Sequence, residues 1–108
     1  MDYIPIDKEN LPERFEFDLG AETFILEFRY NELFDHFTCN LFDMEEEALV
    51  LGEKLVLNKP MWSDLTNVNL PAPTIIPMDL AGNEDRVTFS NLGVSVFLYI
   101  DDEGDENE

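Results

Sequence analysis

The stretch Arg14-Phe15-Glu16-Phe17-Asp18-Leu19-Gly20-Ala21-Glu22-Thr23-Phe24-Ile25-Leu26-Glu27-Phe28-Arg29-Tyr30 decides the fold. Successive side chains of a strand point to opposite faces. Phe15, Phe17 and Leu19 therefore share one face, and the charges between them share the other. Beyond Gly20-Ala21 the same alternation puts Phe24, Leu26, Phe28 and Tyr30 on one face. A two-residue loop that starts with Gly suits a type II′ hairpin turn. That turn sets Phe17 opposite Phe24, Phe15 opposite Leu26, and Arg14 opposite Glu27. Apolar then meets apolar and plus meets minus, so the register is self-consistent.

Reading outward from the hairpin, residues 31–35 form a loop. His36 to Phe42 is a third strand, with Phe37, Cys39 and Leu41 toward the same core. The acidic run 43–47 is the next turn. Residues 48–51 and 54–57 read as two short strands split by Gly52, a position for a bulge or bend. Helix competes over residues 45–57, because Glu, Ala, Leu and Lys favour it; Gly52 and the consecutive Leu49-Val50-Leu51 lean toward strand.

Pro60, Pro71, Pro73 and Pro77 all fall within residues 58–83, where regular pairing is interrupted. This is a long ordered loop carrying Met61, Trp62 and Leu65, with one short strand at residues 74–78. Turns follow at 81–83 and 90–93. The last strand, residues 94–100, aligns Val94, Val96, Leu98 and Ile100 on one side. The expected organisation is a single β domain over residues 1–100 and an acidic, disordered tail over residues 101–108. The fold class is all-β: a small antiparallel β-barrel or β-sandwich of six to seven short strands with a long Pro-rich loop.

The chain of 108 residues carries 25 acidic against 6 basic side chains, a net charge of -19. With 44% hydrophobic residues it has the means to fold. The charge argues against nucleic acid and anionic membranes as partners, since phosphate contacts need Lys and Arg. No apolar run approaches the roughly 20 residues of a membrane span. The start, Met1-Asp2-Tyr3-Ile4-Pro5, lacks the basic and apolar regions of a signal peptide, so no secretion by that route is expected. The lone Cys39 makes no internal disulfide and fits a reducing compartment.

Chemistry is sparse. His36 is the sole histidine and reads as a surface residue at a strand start; Cys39 falls on the core face as an inert thiol. No catalytic constellation, phosphate-binding glycine loop or zinc spacing occurs, so no enzyme activity, cofactor or metal is expected. The acidic clusters at 43–47 and 101–105 lack EF-hand spacing and read as solvated charge, with a weak Ca²⁺ site as the lesser alternative. More informative is apolar content on faces that should be polar: Ile25, Phe42, Phe97 and Tyr99. Either the Pro-rich segment folds back over them or they form a protein interface. Trp62 leans toward burial for the same reason that large aromatics do in general. The candidate interface residues are Met61, Trp62, Leu65, Pro71, Pro73, Ile75, Phe97 and Tyr99.

Six stretches in order carry a family resemblance: Tyr3-Ile4-Pro5-Ile6-Asp7, residues 49–55 from Leu49 to Leu55, residues 71–79 from Pro71 to Asp79, residues 82–88 from Gly82 to Thr88, Asn91-Leu92-Gly93, and Val96-Phe97-Leu98-Tyr99-Ile100. Together they resemble the baseplate plug family of tailed bacteriophages, small proteins of phages and prophages of Gram-positive bacteria. The resemblance covers nearly all of residues 3–100 and includes no catalytic motif. It implies a non-enzymatic structural component of the tail tip with a small β-rich fold, set in symmetric array at the end of the tail tube and helping to close the lumen. Implied partners are further copies of the chain and other phage tail proteins; the implied location is the virion tail, after synthesis in the host cytoplasm. The long acidic tail departs from the family's usual ending. The alternative function is a small acidic DNA mimic or regulatory protein that binds a basic partner.

Overall fold

The protein, as a computed structural model that describes residues 2–65 and 69–101, is built from two antiparallel sheets facing each other across one apolar core. Seven strands occur among the described residues: β1 (Tyr3–Ile4), β2 (Glu13–Leu19), β3 (Glu22–Asn31), β4 (His36–Phe42), β5 (Ala48–Lys54), β6 (Thr74–Met78) and β7 (Phe97–Asp101). Strands β2-β3-β4-β5 form a four-stranded meander, and β1-β7-β6 form the second sheet. The sheets do not close into a barrel among these residues, so the architecture is sandwich-like.

The hairpin has the expected register: Phe17 pairs with Phe24, Phe15 with Leu26 and Arg14 with Glu27. Gly20 has φ +71, the conformation that the first central position of the turn requires. Strand β4 continues the apolar rows, with Leu41 opposite Leu26, Cys39 opposite Phe28 and Phe37 opposite Tyr30. These side chains meet Ile4, Ile75 and Leu98 from the second sheet in one buried cluster.

Residues 48–54 form one strand rather than two. Gly52, at φ +73, sits inside β5, whose register against β4 shifts between Cys39 and Phe42. The segment 54–57 is not a second strand. Asn58 takes φ +67, which Asn tolerates better than most residues. The Lys59 amide then closes a turn onto the Val56 carbonyl at 3.1 Å, carrying the chain from one sheet to the other. On arrival, Asn58 N donates to Pro77 O at 2.7 Å and Met61 N to Ile75 O at 2.8 Å. These bonds cover the outer edge of β6, the edge position at which a strand accommodates Pro77. Helix formation over residues 45–57 does not occur.

Two boundaries differ at the C-terminal end. Val94 does not belong to the last strand and is 69% exposed. The Asn91 carbonyl accepts the amides of Val94, Ser95 and Val96, each at 3.0 Å, and this tight turn faces Val94 outward before Val96 and Leu98 enter the core. Asp101 belongs to β7, opposite Thr74, rather than to the tail. The rest of the expected tail, residues 102–108, lies outside the described residues.

Candidate protein-interaction surface

The outer face of the three-stranded sheet follows from the pleat. With Ile4, Ile75, Pro77 and Leu98 inward, the opposite phase brings Tyr3, Ile76, Met78, Phe97 and Tyr99 to the outside. Tyr3 pairs with Tyr99, Tyr99 with Ile76, and Phe97 with Met78. The rings form a triad: Tyr3–Phe97 centroids are 4.7 Å apart, Phe97–Tyr99 6.0 Å and Tyr3–Tyr99 6.3 Å. Tyr3 is exposed, and the other four side chains are partly so. Beside the triad runs a groove lined by Tyr3, Pro5, Ile6, Gly93 and Phe97, among other residues, without a single carboxylate. On a chain with net charge -19, a surface free of carboxylates is suited to contact rather than to solvation.

The eight residues singled out from sequence divide into two groups. Met61, Trp62, Pro73 and Ile75 are buried in the chain's own core, Trp62 with only 7% of its surface exposed. Trp62 takes φ +44, and the Glu53 carboxylate accepts its amide at 2.7 Å, pinning the loop against β5. Leu65 is exposed, and Pro71, Phe97 and Tyr99 are half-exposed. Only Phe97 and Tyr99 come together in the aromatic triad. Tyr3, Ile76 and Met78 escaped the sequence reading. The alternation within residues 74–78 held the signal for Ile76 and Met78, whereas a two-residue strand at Tyr3 shows no periodicity at all.

The outward apolar pair on the other sheet has a different explanation. Ile25 lies opposite Phe42, and the Arg14 guanidinium covers the Phe42 ring at 4.5 Å from its centroid. Arg14 also reaches Glu46 at 3.3 Å. Ile25 ends up buried, so this pair belongs to the sheet's own packing. Next to it, Glu27 accepts from Asn40 at 3.0 Å and from Arg29 at 3.3 Å, while Asn40 accepts from Gly52 N at 2.7 Å. The outer face of the meander is thus a self-satisfied polar lattice.

Among the described residues, reactive groups do not gather in a shared site. Cys39 is buried, and desolvation pushes its thiol far above the usual range, which leaves it protonated and unreactive. Among the described residues, no three His, Cys, Asp or Glu side chains are placed to hold a metal ion. No helix among them is long and apolar enough to cross a membrane.

Comparison with known proteins adds one finding. No curated protein and no solved structure matches the chain. The model of the family described as "Cyanophage baseplate Pam3 plug gp18" matches residues 1–103. That description names a cyanophage and carries nothing for a Gram-positive host. With both sheets inside the match, this chain belongs to the baseplate plug family, structural proteins of the phage tail.

Proposed function

We propose that the protein is a plug-like, non-enzymatic subunit of the tail tip that assembles with copies of itself and with other tail proteins. The observation that carries this reading is the outer face of the three-stranded sheet. Tyr3, Ile76, Met78, Phe97 and Tyr99 stand there in contiguous register on an otherwise carboxylate-rich surface. Aromatic and Met side chains grouped in this way are characteristic of interface centres. The family match supports the virion tail as the location; in this reading, synthesis in the host cytoplasm precedes assembly. Leu65 and Pro71 are further accessible positions in the Pro-rich segment.

Tails purified from phage carrying Tyr99→Ser or the pair Tyr3→Ser/Phe97→Ser test the reading. Loss of the protein from the tail, with the isolated variants still folded by circular dichroism, is expected. Wild-type incorporation of both variants would remove this face from the interface. Light scattering of the isolated protein tests self-assembly separately. The DNA mimic has only net charge in its support; competition with DNA for a basic protein that weakens with added salt would revive it.

A further inference from the structure

The most exposed apolar side chain among the described residues is not on the sheet face. Leu33 is 84% exposed and Phe34 65% exposed, side by side at the tip of the β3–β4 hairpin. Surface leucines are ordinary when scattered over a mobile loop. These two stand on a turn that is tied down at every residue from 33 to 35. Asn31 Oδ1 accepts the amides of Leu33 at 3.0 Å and Phe34 at 3.3 Å. Arg86 donates to the Phe34 carbonyl at 3.3 Å and to the carbonyl and carboxylate of Asp35. The Asp35 carboxylate accepts from Tyr30 Oη at 2.8 Å and from Phe89 N at 2.9 Å. Behind the turn, the Tyr30 ring packs on Phe37 and Phe89, with centroids at 4.8 and 5.0 Å. His36 stacks on Phe34 at 6.2 Å.

Seven hydrogen bonds therefore hold an apolar pair in water, a position from which the fold gains no burial. Rigidity of an exposed anchor lowers the ordering cost of binding. We propose that the Leu33-Phe34 tip is a preformed knob that inserts into an apolar socket of a different tail protein, one bearing Lys or Arg at the socket's rim. This rests on the tail-tip reading above but uses a separate surface.

Charge selects this occupant. Five of the six cations are already engaged within the chain: Lys8 on the Phe89 carbonyl, Arg14 on Glu46, Arg29 on Glu27, Lys59 on Asp64 and Arg86 on Asp35. Glu32 flanks the tip and makes no ion pair among the described residues. A second copy offers Glu32 almost no free cation, Lys54 aside, and an anionic lipid surface repels the tip. A socket rimmed with basic side chains complements Glu32 and the net charge.

Two measurements on assembled tails test the proposal. Leu33→Ser/Phe34→Ser removes side chains that the core does not use, so the isolated variant should melt with the wild type. Its incorporation into purified tails should fall at least tenfold. In parallel, p-benzoylphenylalanine placed at position 34 should, on irradiation, cross-link to an apolar segment of another tail protein within a few residues of Lys or Arg. The same probe at Thr38, on the polar lattice, is the control. Wild-type incorporation of the double variant, cross-linking to a second copy, or Phe34-dependent binding to phosphatidylserine vesicles would each overturn the knob. Absence of the wild-type chain from purified tails would overturn the tail-tip reading along with it.

Discussion

The Tyr30 hydroxyl donates to Asp35 Oδ1 at 2.8 Å, and the same carboxylate oxygen accepts the Phe89 amide at 2.9 Å, so one acceptor joins the β3–β4 hairpin to the loop before β7. The Phe89 amide, Tyr30 and Arg86 hold the Asp35 carboxyl below its ordinary value of 3.8. Asp35 in turn, chiefly through that hydrogen bond, holds the Tyr30 phenol above its ordinary 10.0.

These shifts bracket the pH range of the brace. A depressed carboxylate contributes stability that is present above its unfolded value and lost as pH falls through the folded one. A raised phenol contributes stability that is present below its unfolded value and lost as pH rises through the folded one. The protection of the Phe89 amide, its exchange rate measured against the intrinsic rate at each pH, should therefore hold across the neutral range and fall only below pH 3.8 or above pH 10.0. Asp35→Asn should abolish the acid limb. An acid limb that persists in this variant would assign it to other carboxylates.

Among the described residues Asn91 is the one buried polar side chain, and both of its donors and its carbonyl oxygen are engaged. Its Oδ1 accepts Thr88 N at 2.8 Å, and its Nδ2 donates to Glu84 at 3.0 Å and to the Arg86 carbonyl at 2.8 Å. Asn91→Leu should destabilise by about 2–4 kcal/mol, since it strands these partners. Asn91→Asp should cost at least as much near neutral pH, because it sets a carboxylate against Glu84, and should recover partly in acid. Urea unfolding at two pH values checks both.

Gly20 and Gly52 separate backbone strain from steric contact. Both have φ above +70, so alanine at either position is strained by about 1–2 kcal/mol. A Cβ at Gly20 would also stand 3.2 Å from Pro73 Cδ, whereas at Gly52 it meets nothing within 4 Å. Gly20→Ala should therefore lower the melting temperature further than Gly52→Ala. Equal losses would show that Pro73 moves aside freely.

Cys39 should resist iodoacetamide in the native protein from neutral pH to pH 9 and react fully in urea. Its burial leaves neither access nor thiolate. Mass spectrometry of labelled protein reads the outcome, and native labelling would place β4 in local opening.

The hairpin was legible because its signal is local: the period of two, the Gly at a turn that needs positive φ, and charges that pair only in one register. Strand β6 was legible as well, Pro77 included, because a break in the pattern on each side isolates it. Strand β1 was not, since two residues hold no period. Val94 was misplaced because alternation cannot reveal that the Asn91 carbonyl gathers three successive amides.

The candidate surface divides along the same line. An apolar residue in a Pro-rich segment reads alike whether it covers its own sheet or awaits a partner; the difference lies in what the chain packs against. The crossing at Asn58 and the Glu53 contact to Trp62 turn Met61, Trp62 and Ile75 inward. The sequence by itself determined the β class, the hairpin register and the family pattern, because these depend on neighbours along the chain or directly across a turn. Tertiary structure alone decided that Tyr3 joins Phe97 and Tyr99, and that Leu33 and Phe34 stand braced in solvent. Those facts depend on residues more than 50 positions apart meeting in space, Arg86 and Phe89 holding Asp35 among them.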